Sequence, residues 1–195
     1  VVKDGKVAFE MSVGNADYEQ NIPNSINTKF QTGSITKFFV KTLVHQLAEE
    51  NKINMSDNLG KYLSGFSPEI SDNVTIQQLL DHTSGFGDFF REAMNPDDLR
   101  NIKNISDVIQ VIQRSDIEFT PGSKVQYSNS GYVILASVVE KVYGKTLEEV
   151  LKERIFDRLG MDNSGFQVVN TDIEGKAKGY LSNQIGPKQD NSDMN

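Results

Sequence analysis

Ser34 and Lys37 stand three residues apart in the stretch Phe30-Gln31-Thr32-Gly33-Ser34-Ile35-Thr36-Lys37, and both side chains belong to acyl-transfer chemistry. A serine hydroxyl becomes a useful nucleophile when a neighbouring group takes its proton. A lysine three residues along a helix is within reach, because positions i and i+3 share a face. A helix opening at Ser34 adds a positive partial charge and free backbone N–H groups beside any anion forming there. The spacing alone does not decide the matter. With 17 Ser and 15 Lys, about one Ser-x-x-Lys is expected by chance, and one occurs. Lys37, Lys41 and His45 also follow at i+4 steps, and on spacing alone a solvated stripe is the favoured reading of them.

The elements that must hold these residues follow from periodicity and punctuation. Asp4-Gly5 predicts a hairpin turn, with Val7, Phe9, Met11 and Val13 alternating behind it as a strand. The helix from Ser34 carries Ile35, Phe38, Phe39, Leu43 and Leu47 as one broad apolar face, flanked by Val40 and Val44. Thr75 is placed to cap a short helix over 76–81, which runs into His82-Thr83-Ser84-Gly85-Phe86-Gly87. Ile105, Val108, Ile109 and Ile112 predict another helix, with Ser106 as its N-cap. Pro121-Gly122 is a type II turn leading into Val125-Gln126-Tyr127-Ser128-Asn129. A helix over 131–143 stops at Gly144, and Thr146 with Glu149 forms a capping box for the next, which Gly160 closes. Residues 165–169 are predicted to return as a strand, and the polar residues 186–195 to fray.

Composition narrows the function classes. The 195 residues, 37% of them hydrophobic, suffice for a substantial core. A net charge of −7 without a compensating Lys/Arg cluster argues against nucleic acid as a partner. No cysteine is present, which removes disulfides, thiolate metal sites and cysteine nucleophiles. The two histidines, His45 and His82, do not form a ligand-spaced cluster, so neither a metal nor another cofactor is expected. No apolar run approaches membrane-spanning length. The chain opens at Val1, and its native N-terminus is expected to lie upstream.

Three segments together resemble the serine β-lactamase and penicillin-binding-protein family, most of all its class C type with the related D-Ala-D-Ala carboxypeptidases and esterases. They are Phe30-x-x-Gly33-Ser34-x-Thr36-Lys37, Leu79-Leu80-x-His82-Thr83-Ser84-Gly85-Phe86, and Pro121-Gly122 followed by Tyr127-Ser128-Asn129-x-Gly131-Tyr132. The second is the most specific, and the likeness runs over roughly residues 1–180. It implies an α+β fold in which an antiparallel sheet is flanked by helices beside a mostly helical subdomain. The expected division is residues 1–50 for the hairpin and first helix, 51–117 for the helical subdomain, 118–185 for the return to the α/β part, and 186–195 for a polar tail. The site is expected between the α/β part and the helical subdomain.

The resemblance also assigns roles. Ser34 would attack a carbonyl to give an acyl-enzyme, and its backbone N–H would form half of the oxyanion hole. Tyr127 would relay the proton, with Lys37 supplying the cation that favours its phenolate or acting as the base itself. Asn129 would bind the substrate and the Lys37 amine. Apart from the resemblance, Tyr127 reads equally as a structural tyrosine and Asn129 as an N-cap. His82 is taken as structural, and Ser84 lacks the Gly-x-Ser-x-Gly context of an α/β-hydrolase nucleophile. The implied substrates are a β-lactam, a D-alanyl peptide or a small ester, and the implied location is extracytoplasmic. The alternative is a non-catalytic module binding a cell-wall peptide or acyl ligand. One departure stands out: the family's third motif, Lys/His-x-Gly, does not follow Tyr127, and Lys3-Asp4-Gly5 is a hairpin signal instead. A C-terminally truncated chain of weak or absent activity is therefore expected, with missing strands and a final helix.

Overall fold

The long apolar segments become helices that pack around a central one, Asn129–Tyr143. A computed structural model describes residues 1–92, 102–166, 171–181 and 189–190. The Thr36–Glu49 helix buries Val40, Leu43, Val44 and Leu47, an i, i+3, i+4, i+7 stripe, against the Asn129–Tyr143 helix. That second helix also meets Ile105–Ile112 and Ile76–Leu80, and it buries Ile134, Leu135, Val138 and Val139. Residues 51–117 share this core: Leu59, Ile70, Val74 and Ile76 lie in the same buried cluster as Leu43 and Leu135.

The broad face expected for the first helix is corrected in part. Phe38 is 72% and Ile35 56% exposed. At 3.6 residues per turn, Phe38 projects about 160° away from Val40, so one packed face cannot take both. Lys37 flanks the buried stripe instead, whereas Lys41 and His45 stay on the outer face, where with Phe38 they line a shallow groove of about 490 Å³. The apparent cationic stripe thus splits into one inward-reaching lysine and two solvated residues.

Local signals place most helix ends. Thr75 and Gln78 form a reciprocal capping box, as do Thr146 and Glu149. Gly144 and Gly160 close their helices in the left-handed conformation, at φ 66° and 63°. The expected Ser106 cap is wrong. The helix starts at Ile105, and Asn104 is the cap, its side chain accepting the Asp107 N–H at 3.1 Å while the Asp107 carboxylate accepts the Asn104 N–H, also at 3.1 Å. Asn104→Ala is therefore expected to lower unfolding stability by about 1 kcal/mol in urea titration, while Ser106→Ala, inside the first turn, leaves the midpoint unchanged.

Two compact units emerge, residues 33–165 and a second made of 1–32 with 166–195. In the second, Asp4 and Gly5 take φ of 52° and 72°, turning Val2–Lys3 back on Lys6–Val7. The strand expected to continue to Val13 does not form. Phe9 still exchanges backbone hydrogen bonds with Val1, but the pairing goes no further, and the side chains of Phe9, Met11 and Val13 are all exposed. Asn15–Asp17 pairs with Ile22–Pro23, and the Gln20 N–H, with Lys178 adding to it, holds the Asp17 carboxyl down to about 2. Tyr180–Leu181 pairs antiparallel with Gln189–Asp190, two residues of the predicted frayed tail. Residues 165 and 166 are not in a strand, and 167–169 lie outside the described residues. Among the described residues no helix is long and apolar enough to cross a membrane.

Candidate active site

A single 3-10 turn, Gly33–Ile35, leads into the Thr36–Glu49 helix and sets Ser34 at its mouth, exposed, with Lys37 one turn further on. The Ser34 Oγ lies 2.7 Å from the Tyr127 Oη. Lys37 Nζ donates to Ser34 Oγ at 3.3 Å and to Asn129 Oδ1 at 2.6 Å, and it sits 4.8 Å from the centre of the Tyr127 ring. The four residues singled out from the sequence therefore converge, although Tyr127 is 93 positions from Ser34. Lys37, followed by the hydroxyl of Ser34, stabilises the Tyr127 phenolate and lowers its pKa from the ordinary phenol value.

Tyr127 is held by the His82–Phe86 loop. The His82 carbonyl accepts the Gln126 N–H at 2.8 Å, the Thr83 carbonyl accepts the Gly122 N–H at 2.7 Å, and the Gly85 carbonyl accepts the Glu118 N–H at 2.8 Å. Phe86 bridges to Ile117. The segment ending at Tyr127 is thus tied along its length to the loop, with the Pro121-Gly122 turn in the middle. The His82 ring stacks on the Tyr127 ring at 4.7 Å, and its Nδ1 accepts the Ser128 N–H at 3.2 Å. Burial, then the Lys37 charge, pushes the imidazole pKa down, which favours the neutral ring this acceptor role needs.

Ser128, and not Asn129, caps the Asn129–Tyr143 helix: its Oγ accepts the Gly131 N–H at 3.2 Å. The amide of Asn129 is thereby left for Lys37. Three consecutive residues at this helix start also pair in register with Gly87, Asp88 and Phe89. The buried Ser128 Oγ donates to the Gly87 carbonyl at 2.7 Å, Asn129 Nδ2 donates to Asp88 Oδ2 at 2.7 Å, and the Phe89 N–H donates to the buried Ser130 Oγ at 2.9 Å. Asp88, Ser128, Ser130 and the stacked ring of His82 were not assigned to the site from the sequence. Each acts through a contact more than forty positions distant, which leaves no local pattern to read.

Known proteins show the same arrangement of chain. The curated relative teichoic acid D-alanine hydrolase of Staphylococcus aureus (strain MRSA252) is 32% identical over 186 residues, 95% of this chain and 45% of its own length, so the chain spans about half of that relative. The crystal structure of a penicillin binding protein from Bacillus halodurans superposes with a TM-score of 0.84 at 32% identity, covering 93% of this chain and 56% of that one. D-amino acid amidase from Ochrobactrum anthropi SV3 superposes with a TM-score of 0.79 at 25% identity, over 93% of this chain and 52% of that one. The α+β, β-lactamase/transpeptidase-like fold expected from the sequence is therefore the fold of the chain. The sequence model of the Beta-lactamase family matches residues 1–194, and with it the conclusion follows that this chain belongs to the Beta-lactamase family.

Proposed function

We propose that the protein is a serine hydrolase that forms an acyl-enzyme on Ser34, with Tyr127 as the proton acceptor. The observation that carries this reading is the 2.7 Å approach of Ser34 Oγ to Tyr127 Oη beside the Lys37 ammonium. Tyr127 Oη is closer to the serine than Lys37 Nζ is, and Lys37 already donates to Asn129. The division of labour follows: Tyr127, as phenolate, takes the Ser34 proton while Lys37 compensates the negative charge. The Ser34 Oγ then bonds to the substrate carbonyl carbon. The carbonyl oxygen becomes an oxyanion, facing the Ser34 N–H at the start of the helix. Collapse expels the leaving alcohol or amine, which Tyr127 reprotonates, and water releases the acyl group in a second round.

The substrate class we propose is a D-alanyl or related D-aminoacyl ester or amide of the cell envelope, with β-lactams as analogues of it. The support is the pair of relatives whose names specify D-alanine hydrolysis and D-amino acid amide cleavage. A substrate of that kind places the protein outside the cytoplasm. One turnover is enough to test the mechanism. Exposure to a fluorescent penicillin should add one probe mass to the peptide containing Ser34, and a fluorophosphonate should add its phosphonyl group with loss of HF; an adduct on another residue, or none, overturns the proposal.

A further inference from the structure

We infer that Asp88 is a positioning residue of this site, fixing the Asn129 amide so that its oxygen faces the Lys37 ammonium. The inference rests on the hydrolase reading above for its consequence in catalysis, while the placement itself stands on contacts. An asparagine amide presents an acceptor at one end and donors at the other, and a half-turn about its last bond exchanges them. Here both ends are engaged. Oδ1 accepts from Lys37 Nζ at 2.6 Å, and Nδ2 donates to Asp88 Oδ2 at 2.7 Å. A carboxylate only accepts, so Asp88 rejects the flipped amide, which would point donors at the Lys37 ammonium and leave an oxygen against an anion.

Asp88 is itself held. Its second oxygen accepts the Phe90 N–H at 3.2 Å, and the residues on either side of it are tied by the buried hydroxyls of Ser128 and Ser130. The loop and the helix start are therefore locked in register on both sides of the Asp88–Asn129 pair. Asp88 makes no hydrogen bond to Ser34 or Tyr127; apart from a small direct charge effect that opposes the lowering of the Tyr127 pKa, it reaches them through Asn129 and Lys37.

Asp88→Asn keeps the shape and one acceptor but can donate as readily as accept, so it no longer selects the amide orientation. The test is the rate of Ser34 labelling by a fluorophosphonate in Asp88→Asn, Asn129→Ala and the double variant, with Ser34→Ala as the control for site-specific labelling. Asp88→Asn is expected to label about tenfold more slowly than wild type, a loss within the range for one charge-assisted hydrogen bond, and to add less than about twofold once Asn129 is already alanine. A purely structural role predicts the same slowing in both backgrounds, and that result, or an unchanged rate, overturns the inference. Side-chain amide NMR gives a second readout that does not depend on labelling. The Asn129 NH₂ protons, identified by their loss in Asn129→Ala, should exchange at least tenfold more slowly with solvent in wild type than in Asp88→Asn. Equal exchange overturns the inference even if wild type labels at Ser34. If wild type does not label there, the hydrolase reading fails and the exchange result alone decides whether Asp88 holds Asn129.

Discussion

Tyr127→Phe is expected to slow acylation of Ser34 by about 10²- to 10⁴-fold, the usual contribution of a positioned general base. The substitution deletes one oxygen, the atom 2.7 Å from Ser34 Oγ, and keeps the ring on which His82 stacks. Tyr127 is half exposed, so little packing is lost and the unfolding midpoint should stay close to wild type. The pH profile gives the sign of the effect. In the proposed mechanism the phenolate is the reactive form, so the labelling rate is expected to rise with pH and level off once Tyr127 has titrated. Lys37 lowers that pKa, which places the plateau below the pH at which an ordinary phenol would reach it. Tyr127→Phe should lack this rise. Wild-type labelling rates in the phenylalanine variant would remove Tyr127 from the mechanism.

Among the described glycines, Gly85→Ala is expected to be the most damaging alanine substitution, lowering unfolding stability by about 3–5 kcal/mol through backbone strain and overlap together. Gly85 adopts φ +91°, and a Cβ there would lie 2.4 Å from the Phe119 carbonyl oxygen and 3.3 Å from the Ile117 Cβ. These neighbours are backbone and a branched carbon, neither of which can swing away. Relief requires moving the 117–119 segment, which continues through Pro121-Gly122 to Tyr127. The variant should therefore lose Ser34 labelling along with stability. Gly131→Ala is the matched control. A Cβ at Gly131 meets nothing nearer than 3.5 Å, and alanine suits a helix better than glycine, so stability should hold or rise by up to about 1 kcal/mol in urea titration. Equal losses in the two variants would refute the steric account.

These effects show where the sequence is informative and where it is not. Thr75, Thr146, Gly144 and Gly160 mark helix ends through groups that act within four residues, and all four are where their local chemistry puts them. The Asn104 cap was missed by two positions because asparagine and serine compete for the same role, and only the onset of the helix distinguishes them. The apolar face of the Thr36–Glu49 helix was drawn too wide. Seven apolar or aromatic positions cannot all face one neighbour, and it is the approach of the Asn129–Tyr143 helix that selects Val40, Leu43, Val44 and Leu47.

For the site, the sequence determined the groups proposed to react: a serine at a helix start, a lysine one turn on, and a Tyr-x-Asn segment introduced by Pro-Gly, all recognisable as linear patterns. It also determined, through glycine at position 85, that the His82–Phe86 loop can lie against residue 119. Tertiary structure alone decided that Lys37 turns inward while Lys41 and His45 stay in solvent, that His82 lies under the Tyr127 ring, and that Asp88 holds the amide of Asn129. The physical reason is the range of the forces involved. A cap or a turn is settled by hydrogen bonds to nearby backbone and so is written in neighbouring letters. The direction of a long cationic side chain and the orientation of an amide are settled by partners forty or more positions away, and those partners exist only once the helices have packed.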